Sequence, residues 1–156
     1  MRLPDCLGAP YPRLALYLPH RPNDLAQLLD APSASALIAA NSNHWRKIVT
    51  LLAKIASPVA DDWRNFRDQA LFQQTALCFA PQLSDTAAWH WIGGKDNLQR
   101  FANLHHNAQP LPNSPEVLID PEKQLLLTPY PDYRQLSNAL VAQIRTVLDD
   151  EGFYRT

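Results

Sequence analysis

A three-layer α/β/α domain, with a small, mostly parallel central sheet of about four to five strands and an antiparallel edge hairpin, is the fold class this sequence predicts. Three observations predict it. Short apolar runs alternate along the chain with segments whose apolar residues recur every three or four positions, and such alternation favours parallel strands with helices on the sheet faces. The runs are apolar throughout rather than every second residue, as in strands covered on both faces. The last two runs are separated by DPEKQ, whose Asp120-Pro121 start is a turn signal and marks a hairpin.

The elements follow in order. Residues 14–18 (LALYL) form the first expected strand, and Asn23 is the expected cap of a short helix over 24–29. Residues 34–40 are expected to be helical. The clearest helix carries Trp45, Ile48, Val49, Leu52, Ile55 and Ala56 on one stripe, with Asn43 as cap and Pro58 beyond its end. Trp63, Phe66, Ala70 and Leu71 mark another helix at the same period. Residues 76–80 (ALCFA) and 89–92 (WHWI) are the next buried strands. The alternation in WHWI puts Trp89 and Trp91 on one face and His90 on the other. A helix starting near Asp96 carries Leu98, Phe101, Ala102 and His105 on one side. A loop is expected over 107–115, then the hairpin strands 117–119 and 125–128. A final helix, capped by Ser137 or Asn138, presents Leu136, Leu140, Val141, Ile144, Val147 and Leu148 on one side.

Composition narrows the classes of function. The chain has 156 residues, read as one domain over 1–156, enough to bury about 68–70% of its unfolded surface without a staple. A formal net charge of −1 supplies no general attraction for nucleic acid or anionic membrane. The two cysteines, Cys6 and Cys78, have no partners at metal-binding spacing and read as reduced thiols. No apolar run reaches the ~20 residues of a membrane span and the amino terminus lacks a signal-peptide pattern, so the expected location is the cytoplasm. Fourteen prolines against four glycines point to ordered loops.

The expected site is the edge of the sheet where strands end, since ligands of open parallel sheets bind there. Three loops carry polar chemistry to that edge. The first holds His20, Arg21, Asn23 and Asp24, with His20 and Asp24 as candidate catalytic acid or base groups; Asp24 serves equally in the first turn of a helix. The second, Gly93-Gly94-Lys95-Asp96-Asn97, has two glycines for a tight turn and a lysine for an anion. A plain turn with Asp96 as cap and Lys95 in solvent is the simpler account of it. The third runs from Thr128 through Tyr130, Asp132 and Tyr133 to Arg134. Its tyrosines suit stacking on a ring and its arginine suits a phosphate; covering the sheet edge is an equal use. No metal cluster and no cofactor motif is present, and the adjacent His105 and His106 diverge by about 100° on a helix.

The order of these loops resembles the uracil-DNA glycosylase superfamily. The matching segments are LALYLPHRPND, WIGGKDNLQRF and LLLTPYPDYRQLSN. The resemblance implies a compact α/β fold with a base-sized pocket. It also implies lost excision chemistry, because the water-activating Gly-x-Asp-Pro-Tyr motif is missing, the second strand ends in APQ, and Thr128 stands where that family has histidine. The chain is also similar to small proteobacterial families of unknown function. The expected ligand is therefore a nucleotide, nucleobase or other anionic or ring-bearing small molecule, with weak or no binding of duplex nucleic acid and no membrane partner. The alternative is a non-catalytic module that binds a protein partner.

Overall fold

The structure, a computed structural model, describes residues 5–155. One sheet of seven strands organises it, in the order β1-β3-β2-β4-β7-β6-β5. The strands are β1 (Cys6–Gly8), β2 (Leu14–Tyr17), β3 (Thr75–Cys78), β4 (Trp89–Gly93), β5 (Gln109–Leu111), β6 (Ser114–Asp120) and β7 (Leu125–Thr128). The inner four, β3-β2-β4-β7, are parallel to one another. Both flanks are antiparallel: β1 on β3, β6 on β7 and β5 on β6. The expectation of a mostly parallel sheet of four to five strands therefore needs correcting. Three of six pairings are antiparallel, because two three-residue edge strands lack any periodic signal. Pro110 disguises one of them as loop, although an edge strand tolerates a residue that donates no ladder bond.

The helices are α1 (Leu25–Asp30), α2 (Ala34–Ala40), α3 (Asn43–Ala56), α4 (Trp63–Gln69), α5 (Leu71–Gln74), α6 (Lys95–Gln99) and α7 (Asn138–Asp150). They divide unequally. Leu14, Leu16, Leu77, Trp89, Trp91 and Leu126 face one core, shared with all the helices except α6. Ala15, Tyr17, Cys78, Ile92 and Leu127 face a smaller core, closed by Leu98 of α6 and by Phe101 and Leu104 beyond it. Burial on both faces is why β2 and β3 read as unbroken apolar runs. His90, opposite the two tryptophans as expected, enters the smaller face, where its Nδ1 is hydrogen-bonded to the Tyr17 hydroxyl at 2.7 Å.

Every residue of the predicted α3 stripe is buried. Arg46 is exposed, but Lys47 and Lys54 are half-buried, lying over the rings of Tyr133 and Trp63. The terminal carbonyls of α3 are satisfied from the other end of the chain. Arg145 Nη1 donates to Lys54 and Ile55 carbonyls at 2.9 and 3.1 Å, and the Tyr154 hydroxyl to Ile55 at 2.6 Å.

Several boundaries shift. Ser42, not Asn43, stands at the cap position of α3. The helix read through Trp63 to Leu71 is a 3₁₀ turn, Ala60–Asp62, then α4 and α5, broken at Ala70 where φ is −136°. The helix expected from Asp96 past His105 stops at Gln99, so His105 lies in an exposed loop. Asp24 rather than Asn23 takes the cap position of α1, in the left-handed conformation. Asn23 turns instead to the end of α2, its Nδ2 donating to the Ala40 carbonyl and its backbone N–H to Asn41 Oδ1. Ser137 caps α7 as expected, accepting from the Leu140 N–H at 3.2 Å. The hairpin turn is also as read: Asp120 accepts from the Lys123 N–H across it.

Candidate functional site

From the central β2 the chain passes first to β3 on one side and then to β4 on the other. The point where strand order reverses is therefore the carboxyl end of β2 and β4, where open sheets leave a crevice. Here that crevice is filled by two side chains of the α6 segment. Asn97 Nδ2 donates to the Tyr17 carbonyl at 2.7 Å and the Gly93 carbonyl at 3.3 Å. Arg100 donates to the carbonyls of Leu18 and Phe79, at 3.2 and 2.8 Å, and to Asn97 Oδ1 at 2.8 Å. The ends of β2, β3 and β4 are thus tied together.

Open space lies one strand further along. β4 and β7 are parallel neighbours, with Ile92 opposite Leu127 and Gly93 opposite Thr128. Their following loops must leave at the same edge, and they line one cleft of about 890 Å³. Its apolar lining includes Ile92, Leu98, Leu118 and Leu127; its polar lining includes Lys95, Asp96, His106, Glu116 and Gln135, and Tyr130 lines it too.

The two glycines of the β4 turn have different reasons to be glycine. At Gly93 a Cβ would fall 2.7 Å from Pro131 Cδ, so the β7 loop approaches too closely for any side chain. Gly94 has φ 95° and ψ 139°, a conformation essentially reserved for glycine. A Cβ on it would meet the Tyr130 ring at 3.5 Å. The loops are therefore packed on each other, and glycine serves that contact.

Tyr130 has a second environment behind the cleft. Its hydroxyl lies 2.9 Å from His44 Nε2 and 3.2 Å from His20 Nε2. The His44 ring is stacked on it at 5.3 Å between centroids and 10° between planes; the His20 ring lies at 6.2 Å and 17°. Trp45 and His20 meet in a T-shaped contact, 5.2 Å between ring centroids. Burial pushes the Tyr130 phenol up to about 12. Burial also lowers His20, helped by the charges of His44 and Arg100. The phenol keeps its proton at neutral pH and is hydrogen-bonded to both imidazoles.

The expected site residues separate accordingly. Gly94, Lys95, Thr128 and Tyr130 line the cleft, and His20 reaches it through Tyr130. Thr128 is committed internally, accepting from Trp91 Nε1 at 2.7 Å and donating to the Pro129 carbonyl. Asp24 is exposed, with no side-chain bond to its helix. Arg21 pairs with Asp5 at 3.4 Å and sits over the Phe79 ring. Asp132 is held below the usual carboxylate range, first by the Arg134 backbone N–H and then by Lys47. Tyr133 lies against Lys47 and Lys54, outside the cleft lining, and the Arg134 side chain is 88% exposed. His44, Arg100 and Glu116 had no sequence signal: His44 sits beside Trp45 at a helix start, and Arg100 and Glu116 acquire roles only through sheet order.

Among the described residues no group of three or more His, Cys, Asp or Glu side chains forms a metal site, and no helix is long and apolar enough to cross a membrane. Residues 5–149 match the model of one protein family, described as a family of unknown function (DUF6942). No curated protein and no solved structure matches the chain.

Proposed function

We propose, for a chain that belongs to this family of unknown function, that it binds a small ring-bearing ligand in the cleft outside the carboxyl ends of β4 and β7. The observation that carries this reading is the parallel register of Gly93 opposite Thr128, which puts both loops on one cleft. Its volume falls within the roughly 300–1,000 Å³ of ligand pockets, and an apolar lining with a few polar groups is the usual make-up of such pockets.

The lining favours a nucleobase-like ligand over a nucleotide with several phosphates. Ile92, Leu118 and Leu127 offer apolar lining and Tyr130 a ring. Lys95 can take one negative charge or a carbonyl. Asp96 and Glu116 line the same space; they accept from ring N–H or amino groups and repel a polyphosphate. Lys95 and Asp96 are exposed, so they serve specificity more than affinity. The glycosylase-like expectation survives here only as ligand class. His20 is the nearest candidate base, through Tyr130, while Asp24 is outside the cleft lining.

A thermal-shift and NMR titration with uracil, adenine, their nucleosides and inorganic phosphate tests the proposal. Nucleobases should raise the melting temperature and move the Gly94 and Tyr130 resonances, and Tyr130→Ala should abolish both effects. A panel in which phosphate alone responds, or nothing does, sinks the reading and leaves the partner-binding alternative.

A further inference from the structure

Cys6 and Cys78 are far apart in sequence and directly across from each other in the sheet. β1 and β3 are antiparallel with Cys6 opposite Cys78, Leu7 opposite Leu77 and Gly8 opposite Ala76. The ladder bonds beyond this stretch fix the type of each pair. Phe79 N–H donates to the Asp5 carbonyl at 2.7 Å, and Ala9 N–H to the Thr75 carbonyl at 3.0 Å. Hydrogen-bonded pairs recur at every second position. With Asp5/Phe79 and Ala9/Thr75 bonded, Cys6/Cys78 is a non-hydrogen-bonded pair, the kind whose Cα atoms lie about 4.5 Å apart. That spacing falls within the roughly 4.4–6.8 Å window a disulfide spans.

Side-chain direction agrees. Leu7 and Leu77 both enter the larger core, so their neighbours Cys6 and Cys78 project together from the other face, where Cys78 joins the smaller core. The neighbouring Cys78 holds Cys6 below its ordinary value, while Cys6 and burial raise Cys78. Cys6 is exposed and Cys78 buried. An exposed sulfur beside a buried thiol is the arrangement of an attacking and a resolving cysteine.

From this geometry we infer that Cys6 and Cys78 are a redox-active dithiol that closes reversibly into a cross-strand disulfide on reaction with a low-molecular-weight disulfide. The Cys6 thiolate attacks one sulfur of the disulfide RSSR, forming Cys6–S–SR and releasing RS⁻, which takes up a proton. Cys78 then loses its proton as its sulfur attacks the Cys6 sulfur, and the second RSH leaves. Two thiols and one RSSR become one protein disulfide and two RSH, with two electrons passed to the reagent. The bond clips the edge strand β1 to β3 beside Asp5, whose carboxylate pairs with Arg21 in the loop that also carries His20.

The experiment equilibrates the full chain with reduced and oxidised glutathione at graded ratios, quenches with an alkylating agent, and reads intact mass and peptide maps. The expected oxidised product is two hydrogens lighter, monomeric, free of alkylation and yields a Cys6–Cys78 linked peptide. The closed form should melt higher by roughly 5–15 °C, since the bond constrains a long loop of the unfolded chain. Cys78→Ala should instead accumulate the mixed disulfide on Cys6, and Cys6→Ser should leave Cys78 unmodified in the folded protein. If the wild-type chain stops at glutathionylated Cys6, or forms only disulfide-linked dimers, the inference is overturned. These readouts are independent of ligand binding in the cleft.

Discussion

Trp91 Nε1–H donates to Thr128 Oγ1 over 2.7 Å, inside the sheet and across two strands that are parallel neighbours. The indole has one donor and no other polar atom, so its burial at 0% exposure depends on this acceptor. Thr128→Val keeps the shape and removes the oxygen. The variant should lose about 1–3 kcal/mol, as when a buried donor is left without a partner. Urea denaturation measures the loss, and the indole N–H resonance of Trp91 should move upfield. An unchanged midpoint would mean that another acceptor replaces Thr128.

Leu52 sits at the centre of the α3 stripe with no exposure. Leu52→Ala should cost about 2–5 kcal/mol through lost burial and the cavity left behind. Arg46→Ala, on the exposed side of the same helix, should change stability by less than about 0.5 kcal/mol. Equal effects from the two would contradict the orientation of α3.

The Gly94 backbone distinguishes two kinds of glycine requirement. Its ψ of 139° lies outside the left-handed helical well that asparagine tolerates. Gly94→Ala and Gly94→Asn should therefore destabilise alike, by about 1–3 kcal/mol, and asparagine should give no rescue. Recovery by asparagine, read in chemical denaturation, would show that the turn adopts a different conformation.

Acid should destabilise the protein through two imidazoles, the buried His90 and the more exposed His20. Burial lowers His90, and His20 is lowered in the same direction. A lowered histidine binds its proton more weakly folded than unfolded, so the unfolded chain gains protons first as pH falls. The stability contributed is complete above about 6.5, the ordinary value, and is lost as pH falls through the lower folded value. Equilibrium unfolding at graded pH should show stability declining below about 6.5, and NMR titration of His90 should give a midpoint under that value. His90→Gln should flatten part of the slope. A midpoint above the ordinary value would reverse the sign and refute the account.

What the sequence made legible was what repeats locally. The α3 stripe needed only the helical period, the Asp120-Pro121 turn only its residue types, and the Trp89/His90/Trp91 alternation only the pleat. Sheet order was not legible in that way. Tyr130 and Lys95 were suspected neighbours, yet their meeting rested on whether β7 runs parallel to β4, which no residue in 125–128 states. Cys6 lay in a segment too short and too rich in proline to read as a strand, so its distance from Cys78 in sequence concealed their pairing. Arg134, by contrast, has the chemistry of a phosphate ligand, yet its side chain stands in solvent.

The ties made by Asn97 and Arg100 have a mechanical consequence for the cleft. They fasten the ends of β2, β3 and β4 to the α6 segment, so the wall bearing Lys95 has little freedom to swing. The opposite wall, the Tyr130 loop after β7, is held against it by Pro131 over Gly93 and by two imidazoles from distant parts of the chain. A guest larger than the cleft would enter by displacing that second wall, and the first contacts broken would be those of the Tyr130 hydroxyl. The cleft thus has one wall tied to the sheet and one fastened chiefly at the Tyr130 hydroxyl.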